Sequence, residues 1–492
     1  MKVLGKNSKK SEVGVFVRES TGLVKNVSFL DSISLNIGDM SAGVALATIV
    51  YTIMNRKVHR TGGDYIWTSR IFGGMFGGSL AFMGYSLETL AYLALIALST
   101  VFAIGSVGVA LGNMSFLGLA LPGNTSGAEP FLQFIVASVI FAVLIAVNIF
   151  KPKIGYKLVT ISIFIGILIL LLSIGVLLLA GKSGVEGYIN SLSTQGLNET
   201  YAQIASSYKG SNFNFMATLL ILPFFAVVGY PWINAAPGVS SEIKSRKGIR
   251  WAIPVSSIIV LILVTGGFAS MYIAGGYHFI NAALSNPTLV YDYSFNFWTL
   301  AMGVSKSPLL SLVIGIGWIL WDIAILAYGI IVFSRYIFAQ AFDRFLPEKL
   351  AYISKRYGSP VAAHLFDLVV TIFLIAGAAF LYGPFSSLYG AVAAAMIYFI
   401  FIGIAATVYA LRYLTGSEKA TLTISGILMA VVFLFITYQF FAYPKIWGGN
   451  ALAYGYVVAS FVAGVLLYEI SKWRNAKKGI DISMAFKEIP PE

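Results

Sequence analysis

Three acidic residues stand inside long apolar stretches of this chain: Asp39, Glu88 and Asp322. An ionised side chain at membrane depth is costly, and the chemistry it serves there is the carrying of a proton or cation, or the gripping of a cationic group. Asp322 lies near the middle of the apolar run Leu309–Gln340. It is too deep to snorkel out, and Arg335, the only basic residue of that run, is more than three turns away. It is read as a proton or cation carrier, with a hydrogen-bonded acid between helices as the alternative. Glu88 is nearer a helix start, and its structural and functional readings are equally open. Asp31, Asp367 and Arg335 lie toward helix ends, where solvated or snorkelling side chains are expected.

The second candidate is the stretch Leu222–Gly248, LPFFAVVGYPWINAAPGVSSEIKSRKG. It begins as the end of an apolar run and then breaks, with Gly229 and Pro231 around Tyr230 and Pro237-Gly238 following. Proline removes a backbone donor, and glycine tolerates the dihedral angles of an unwound segment. In a bilayer the freed backbone groups must face protein, water or a ligand. A helix interrupted there predicts a binding site; a proline kink healed by its neighbours is the plainer alternative.

The elements that position these groups are membrane spans. Of the 492 residues, 58% are hydrophobic and 11% charged, and the mean hydropathy is +0.84, which excludes a soluble globular chain. Apolar runs long enough to cross a ~30 Å hydrocarbon layer are read at Ser28–Met54, Ser79–Val107, Phe131–Phe150, Tyr156–Ala180, Phe215–Gly238, Trp251–Gly275, Leu309–Gln340, Ala362–Tyr382, Phe385–Leu411, Leu422–Phe441 and Ala451–Ile470, eleven in all. Met1–Lys25 is polar and basic without a sustained apolar core, so no cleavable signal peptide is expected. The absence of cysteine and the presence of only 3 histidines argue against disulfides, iron–sulfur clusters and ordinary zinc sites.

Loop charge orients the spans. Alternate loops hold only Lys182, Lys209, Lys306 and Lys445, while the other 29 of the 33 Lys and Arg fall in the termini, the remaining loops or the helix ends beside them. The net charge of +13 is then a cytoplasmic face suited to anionic headgroups rather than a nucleic-acid footprint. The rule fails only at the first span. Lys2, Lys6, Lys9, Lys10, Arg18 and Lys25 before it, and Arg56, Lys57 and Arg60 after it, both demand the inside. One crossing cannot join two segments on the same side, so a re-entrant segment or a missing crossing is implied.

Three further stretches carry a resemblance. TGGDYIWTSRIFG (Thr61–Gly73) is similar to the GGxYxYxxRxxG loop of the amino acid–polyamine–organocation permeases. FFAVVGYPWINAAPGVSSEIKS resembles their broken sixth helix and the turn after it, and SRYIFAQAFDRFLPEKLAYISKRYGSPVAA (Ser334–Ala363) resembles their SR-x-A-x-A-x-DG-x-LP segment. The resemblance implies an all-α, polytopic membrane protein with two inverted five-helix repeats, a LeuT-like fold, with eleven spans read here where the family usually has twelve. It implies a transporter domain over residues 28–471, between cytoplasmic tails at 1–27 and 472–492. Relatives place two helices before the GGxY segment, whereas Gly38 and Gly62 stand only 24 positions apart. A seam near Val50-Tyr51, from a deletion of about one helix or a gap in the sequence as it stands, would produce that spacing; a gap is favoured, because losing one helix of an inverted repeat should abolish its packing.

The same resemblance implies a substrate site between two helix breaks, where amides and carbonyls freed from the helices hold the substrate's carboxylate and ammonium. The matching positions are Ile37, Gly38, Asp39, Met40, Ser41, Ala42 and Gly43 in the first break, after Asn36, and Phe225, Ala226, Val228, Gly229 and Tyr230 in the second. Asp39 stands in the middle of the glycine–small–glycine pattern, and Pro231 replaces a glutamate common in relatives, so a cationic substrate is an alternative to a carboxylate-bearing one. The function implied is a secondary transporter of amino acids or related amines, proton-coupled, in the plasma membrane. Asp39, Glu88 and Asp322 are its coupling candidates. Its partners are a small-molecule substrate, a coupling proton and membrane lipids, with no cofactor, metal or nucleic acid. A channel or sensor on the same scaffold is the alternative. No phosphate-binding loop, HExxH or Ser–His–Asp constellation points to an enzyme. Of four glycosylation sequons, loop charge puts Asn26 inside and Asn113, Asn124 and Asn198 outside.

Overall fold

The computed structural model describes residues 27–28, 30–31, 45–120, 129–210, 215–216, 233–381, 392–447 and 449–488. Nine helical runs among the described residues are long and apolar enough to cross a membrane, and no strand longer than an isolated bridge, Val27 to Ile243, occurs among them. The chain is a multi-pass membrane protein. The helices are α1 (Ala45–Lys57), α2 (Gly63–Gly73), α3 (Glu88–Ala110), α4 (Glu129–Phe150), α5 (Pro152–Leu192), α6 (Tyr201–Ser207), α7 (Arg246–Gly275), α8 (Tyr277–Ser285), α9 (Phe297–Val304), α10 (Pro308–Phe342), α11 (Val361–Phe380), α12 (Ala393–Tyr413), α13 (Gly416–Ala442) and α14 (Ala451–Ala476). Local chemistry sets several starts. Pro152 and Pro308 occupy first-turn positions where a missing N–H costs nothing. Ser245 and Asn450 accept from the first-turn amides of Gly248 and Ala453, which the helix itself leaves without acceptors.

α10 is the axis of the bundle, packed by α3, α5 and α11. Every residue from Leu326 to Ala341 is buried, which fits a helix that is apolar all round. α14, by contrast, exposes Val458, Val462, Leu466 and Ile470, four residues apart, as a lipid-facing stripe. At the end of the bundle away from Arg335, α6, α8 and α9 cover the end of α5 with a second apolar cluster built on Val185, Ile189, Phe279 and Leu300.

The spans differ from expectation in two places. Thr61–Gly73 is helical over most of its length as α2, and Gly73, at φ 82°, turns the chain into wide π-type turns that lead to α3. The span predicted to stop at Ala180 bends at Gly181, φ 55°, and continues helical to Leu192. α1 runs unbroken across Val50 and Tyr51, both buried. Residues 32–44, on its N-terminal side, lie outside the described residues.

Candidate functional site

The two predicted helix breaks lie outside the described residues, so Ile37, Gly38, Asp39, Met40, Ser41, Ala42, Gly43, Phe225, Ala226, Val228, Gly229 and Tyr230 are not placed. What the structure does place is the scaffold beside them. The three motif stretches, distant in sequence, meet in one buried polar junction at the ends of α1, α2 and α10.

Close backbone approach builds the junction. Gly62 N donates to Gly238 O at 3.0 Å. A Cβ on Gly62 would stand 2.5 Å from Ala339 Cβ, and one on Gly63 would stand 2.9 Å from the backbone of Pro237. Both glycines have positive φ, 87° and 42°, so steric room and backbone conformation each demand glycine here. The Ser240 hydroxyl donates to Arg60 O at 3.1 Å, and the Thr61 and Ser241 hydroxyls are in contact.

Three carboxylates fill the space between these backbones. Asp64 accepts from the hydroxyls of Tyr51 at 2.6 Å, Tyr336 at 2.7 Å and Tyr398 at 2.9 Å, joining α1, α2, α10 and α12. Glu242 accepts from Arg335 Nε at 2.8 Å and Nη2 at 3.2 Å, and from the Tyr156 hydroxyl at 2.9 Å. Asp343 accepts two bonds from Arg70, at 2.6 and 3.0 Å, and one from the Tyr65 hydroxyl at 2.9 Å. All three carboxylates are buried. Multiple donors per carboxylate are what makes such burial tolerable, and planar guanidinium pairing fixes the relative orientation of the helices. Arg344, standing where the resembling pattern has glycine, takes a left-handed conformation, φ 62°.

Of the coupling candidates, the two described, Asp322 and Glu88, are not brought together. Asp322 is buried between α10 and α3, where the Ser99 hydroxyl reaches its Oδ2 at 3.5 Å. Arg335 lies 13 residues further along the same helix, about 20 Å away along its axis. Glu88 is buried at the first turn of α3, roughly 16 Å along that helix from Ser99; its Oε1 has no hydrogen-bond partner among the described residues. The Tyr456 hydroxyl of α14 bonds the neighbouring Leu87 carbonyl.

Two expectations are corrected. Arg335 does not snorkel; it is buried in its pair with Glu242. Asp367 is fully buried, with one oxygen accepting from Thr371 at 2.9 Å and the other without a partner among the described residues. Distance from a helix end measures depth, but not which face a residue occupies. Asp31 is half-buried and bound by the Thr160 hydroxyl at 2.6 Å and by Ser28 N at 2.9 Å. Asn113 and Asn198 are exposed at the end of the bundle opposite Arg335; Asn26 and Asn124 lie outside the described residues.

The convergence of the three motif stretches is matched by comparison with known proteins. The family model described as amino acid permease matches residues 20–465. The chain belongs to that family. The permease is therefore a membrane transporter rather than an enzyme. No curated protein matches it. A similar solved structure is that of a Na+-coupled sialic acid symporter in a substrate-bound, outward-open state. It has 12% identity over 86% of this permease and 94% of that chain, with a TM-score of 0.39.

Sequence reasoning pointed to Arg335 but missed its role, and gave no role to Asp64, Glu242, Asp343 or the tyrosines that serve them. The signal available was Asp64 directly behind paired glycines, and tyrosines recurring in apolar helices.

Proposed function

We propose that this permease moves amino acids or related amines by alternating access, with a proton as the coupling ion. The substrate would sit between the breaks at Ile37–Gly43 and Phe225–Tyr230, its amine held by Asp39 or by freed carbonyls, its carboxylate by freed amides. Asp322 and Glu88, and Asp39 itself, are the acids to carry the coupling proton. The observation that carries this reading is the polar junction. It ties the turn after the second break (Pro237 to Glu242) to the glycine pair and to α10, so movement of that broken helix is transmitted to the bundle. A channel would require a continuous polar path, whereas among the described residues Asp322 and Glu88 stand apart from each other.

In this reading the Arg335 end is cytoplasmic, the protein sits in the plasma membrane, and residues 1–27 and 472–492 are cytoplasmic tails of a transporter domain at 28–471. Asn113, Asn124 and Asn198 then face outside, and in a host that glycosylates its envelope proteins they are the sequons available to sugar, not Asn26. The test is thermal-shift screening of the purified protein against amino acids and polyamines, repeated with Asp39→Asn. Stabilisation by a subset of amine compounds, weakened by the substitution, is expected. No stabilisation by any of them would remove the assignment, and an unchanged response in Asp39→Asn would remove Asp39 from the site.

A further inference from the structure

The segment after α14 is built into the bundle rather than trailing from it. The chain turns at Gly479, φ 74°, with Ile480 N donating to Asn475 O at 3.0 Å. It then doubles back as one 3-10 turn, Ile482–Phe486, capped by Asp481, which accepts from Ser483 N at 2.9 Å. Ile482 and Phe486 are only 1% and 4% exposed, so this short piece carries its own apolar anchor.

Phe486 is seated on Gly74. A Cβ at that glycine would stand 2.4 Å from the ring, and the ring meets Tyr468 of α14 edge-on at 5.9 Å. The Arg70 guanidinium lies 5.4 Å from the centre of the same ring, and its Nε donates to Glu488 O at 3.2 Å. This is the guanidinium that pairs with Asp343 at the end of α10. On the far side, Arg344 donates to Asn475 at 3.1 Å, and the Ser471 hydroxyl bonds the Arg344 carbonyl. The segment and the end of α14 therefore hold both α2 and the end of α10.

We propose that residues 480–488 form a strap that keeps this end of the bundle closed, and that its release permits the end to open. The proposal rests on the alternating-access reading above. Parting α2 from α10 and α14 must withdraw Phe486 from Gly74 and break the Arg70 contacts. The anchor is two apolar side chains, Ile482 and Phe486, one ring–cation contact and one carbonyl bond, all within a single short turn, so docking is reversible without unfolding any span.

The natural sequence has no cysteine, so a single introduced thiol reports alone. Ser240→Cys places one in the buried contact between the glycine pair and the turn after the second break. Its labelling by a charged maleimide is followed in the parent background, in Phe486→Ala, and after deletion of residues 480–492. Both changes should accelerate labelling several-fold, with Phe486→Leu, which keeps apolar bulk but loses the ring, between the parent and Phe486→Ala. Unchanged labelling in Phe486→Ala, in protein that remains monodisperse, would overturn the strap even if the deletion fails to fold. Substrate uptake is measured on the same preparations. Faster labelling with no uptake by the parent would keep the strap and remove the transport reading; unchanged labelling with intact uptake would do the reverse.

Discussion

Arg335→Met is the sharpest perturbation of the polar junction. The Arg335 and Glu242 side chains are 3% and 2% exposed, so removing the guanidinium strands a carboxylate in the interior. Breaking a buried pair from one side costs about 3–5 kcal/mol. The Tyr156 hydroxyl still donates to Glu242 at 2.9 Å, which places the expected loss near the lower end, about 3 kcal/mol. Glu242→Leu alone leaves the guanidinium with Ser334 Oγ and Tyr156 as its remaining partners and should cost a similar amount. The double change Arg335→Met/Glu242→Leu removes both charges and should recover most of the loss, because apolar replacements of a buried pair are often neutral. Equilibrium unfolding of all four proteins in mixed detergent and denaturant gives the double-mutant cycle. A single variant as stable as the parent, or a double variant as weak as the sum of the singles, would refute the account of the pair.

Gly62→Ala combines backbone strain of about 1–3 kcal/mol with an overpacked contact of similar size, whereas Gly358→Ala has positive φ but open space and should lose only the strain; the same unfolding assay compares them. Asp322→Asn should leave stability nearly unchanged, since its described partner is one hydroxyl at 3.5 Å, yet uptake should no longer respond to an imposed proton gradient; a retained response would end its coupling role. Asp481 is held below the ordinary carboxylate range by the Ser483 hydroxyl and amide, with Lys487 and Lys472 adding to this. A depressed acid stabilises above its ordinary value and loses that contribution as pH falls, so below pH of about 4 the parent's extra amide-exchange protection over Asp481→Ala at residues 480–488 should shrink. Protection that grows on acidification would contradict the cap.

The spans among the described residues were legible because hydropathy reports depth, and the three motif stretches were legible as a set. Their meeting point was not. Glu242 and Asp343 sit beside polar or basic neighbours and Asp64 behind two glycines, and in a one-dimensional reading such acids look solvated. Asp367 was misjudged for the related reason that hydropathy does not reveal which helix face is inward. The short helices α6 and α9 were missed because they are too brief to show a period. Their caps were written in the sequence as Thr200-x-x-Gln203 and Asn296-x-x-Thr299, where the structure forms reciprocal capping boxes. The predicted substrate-binding residues remain a proposal drawn from resemblance.

Uptake by the purified protein in sealed liposomes tests the central claim most directly. Radiolabelled amino acids, each offered with an inward proton gradient, should accumulate for at least one substrate, and accumulation should collapse when a protonophore dissipates the gradient. Asp39→Asn should weaken that substrate's apparent affinity. Vesicles that take up no amino acid or amine above protein-free controls, with the protein folded and oriented, would contradict the account.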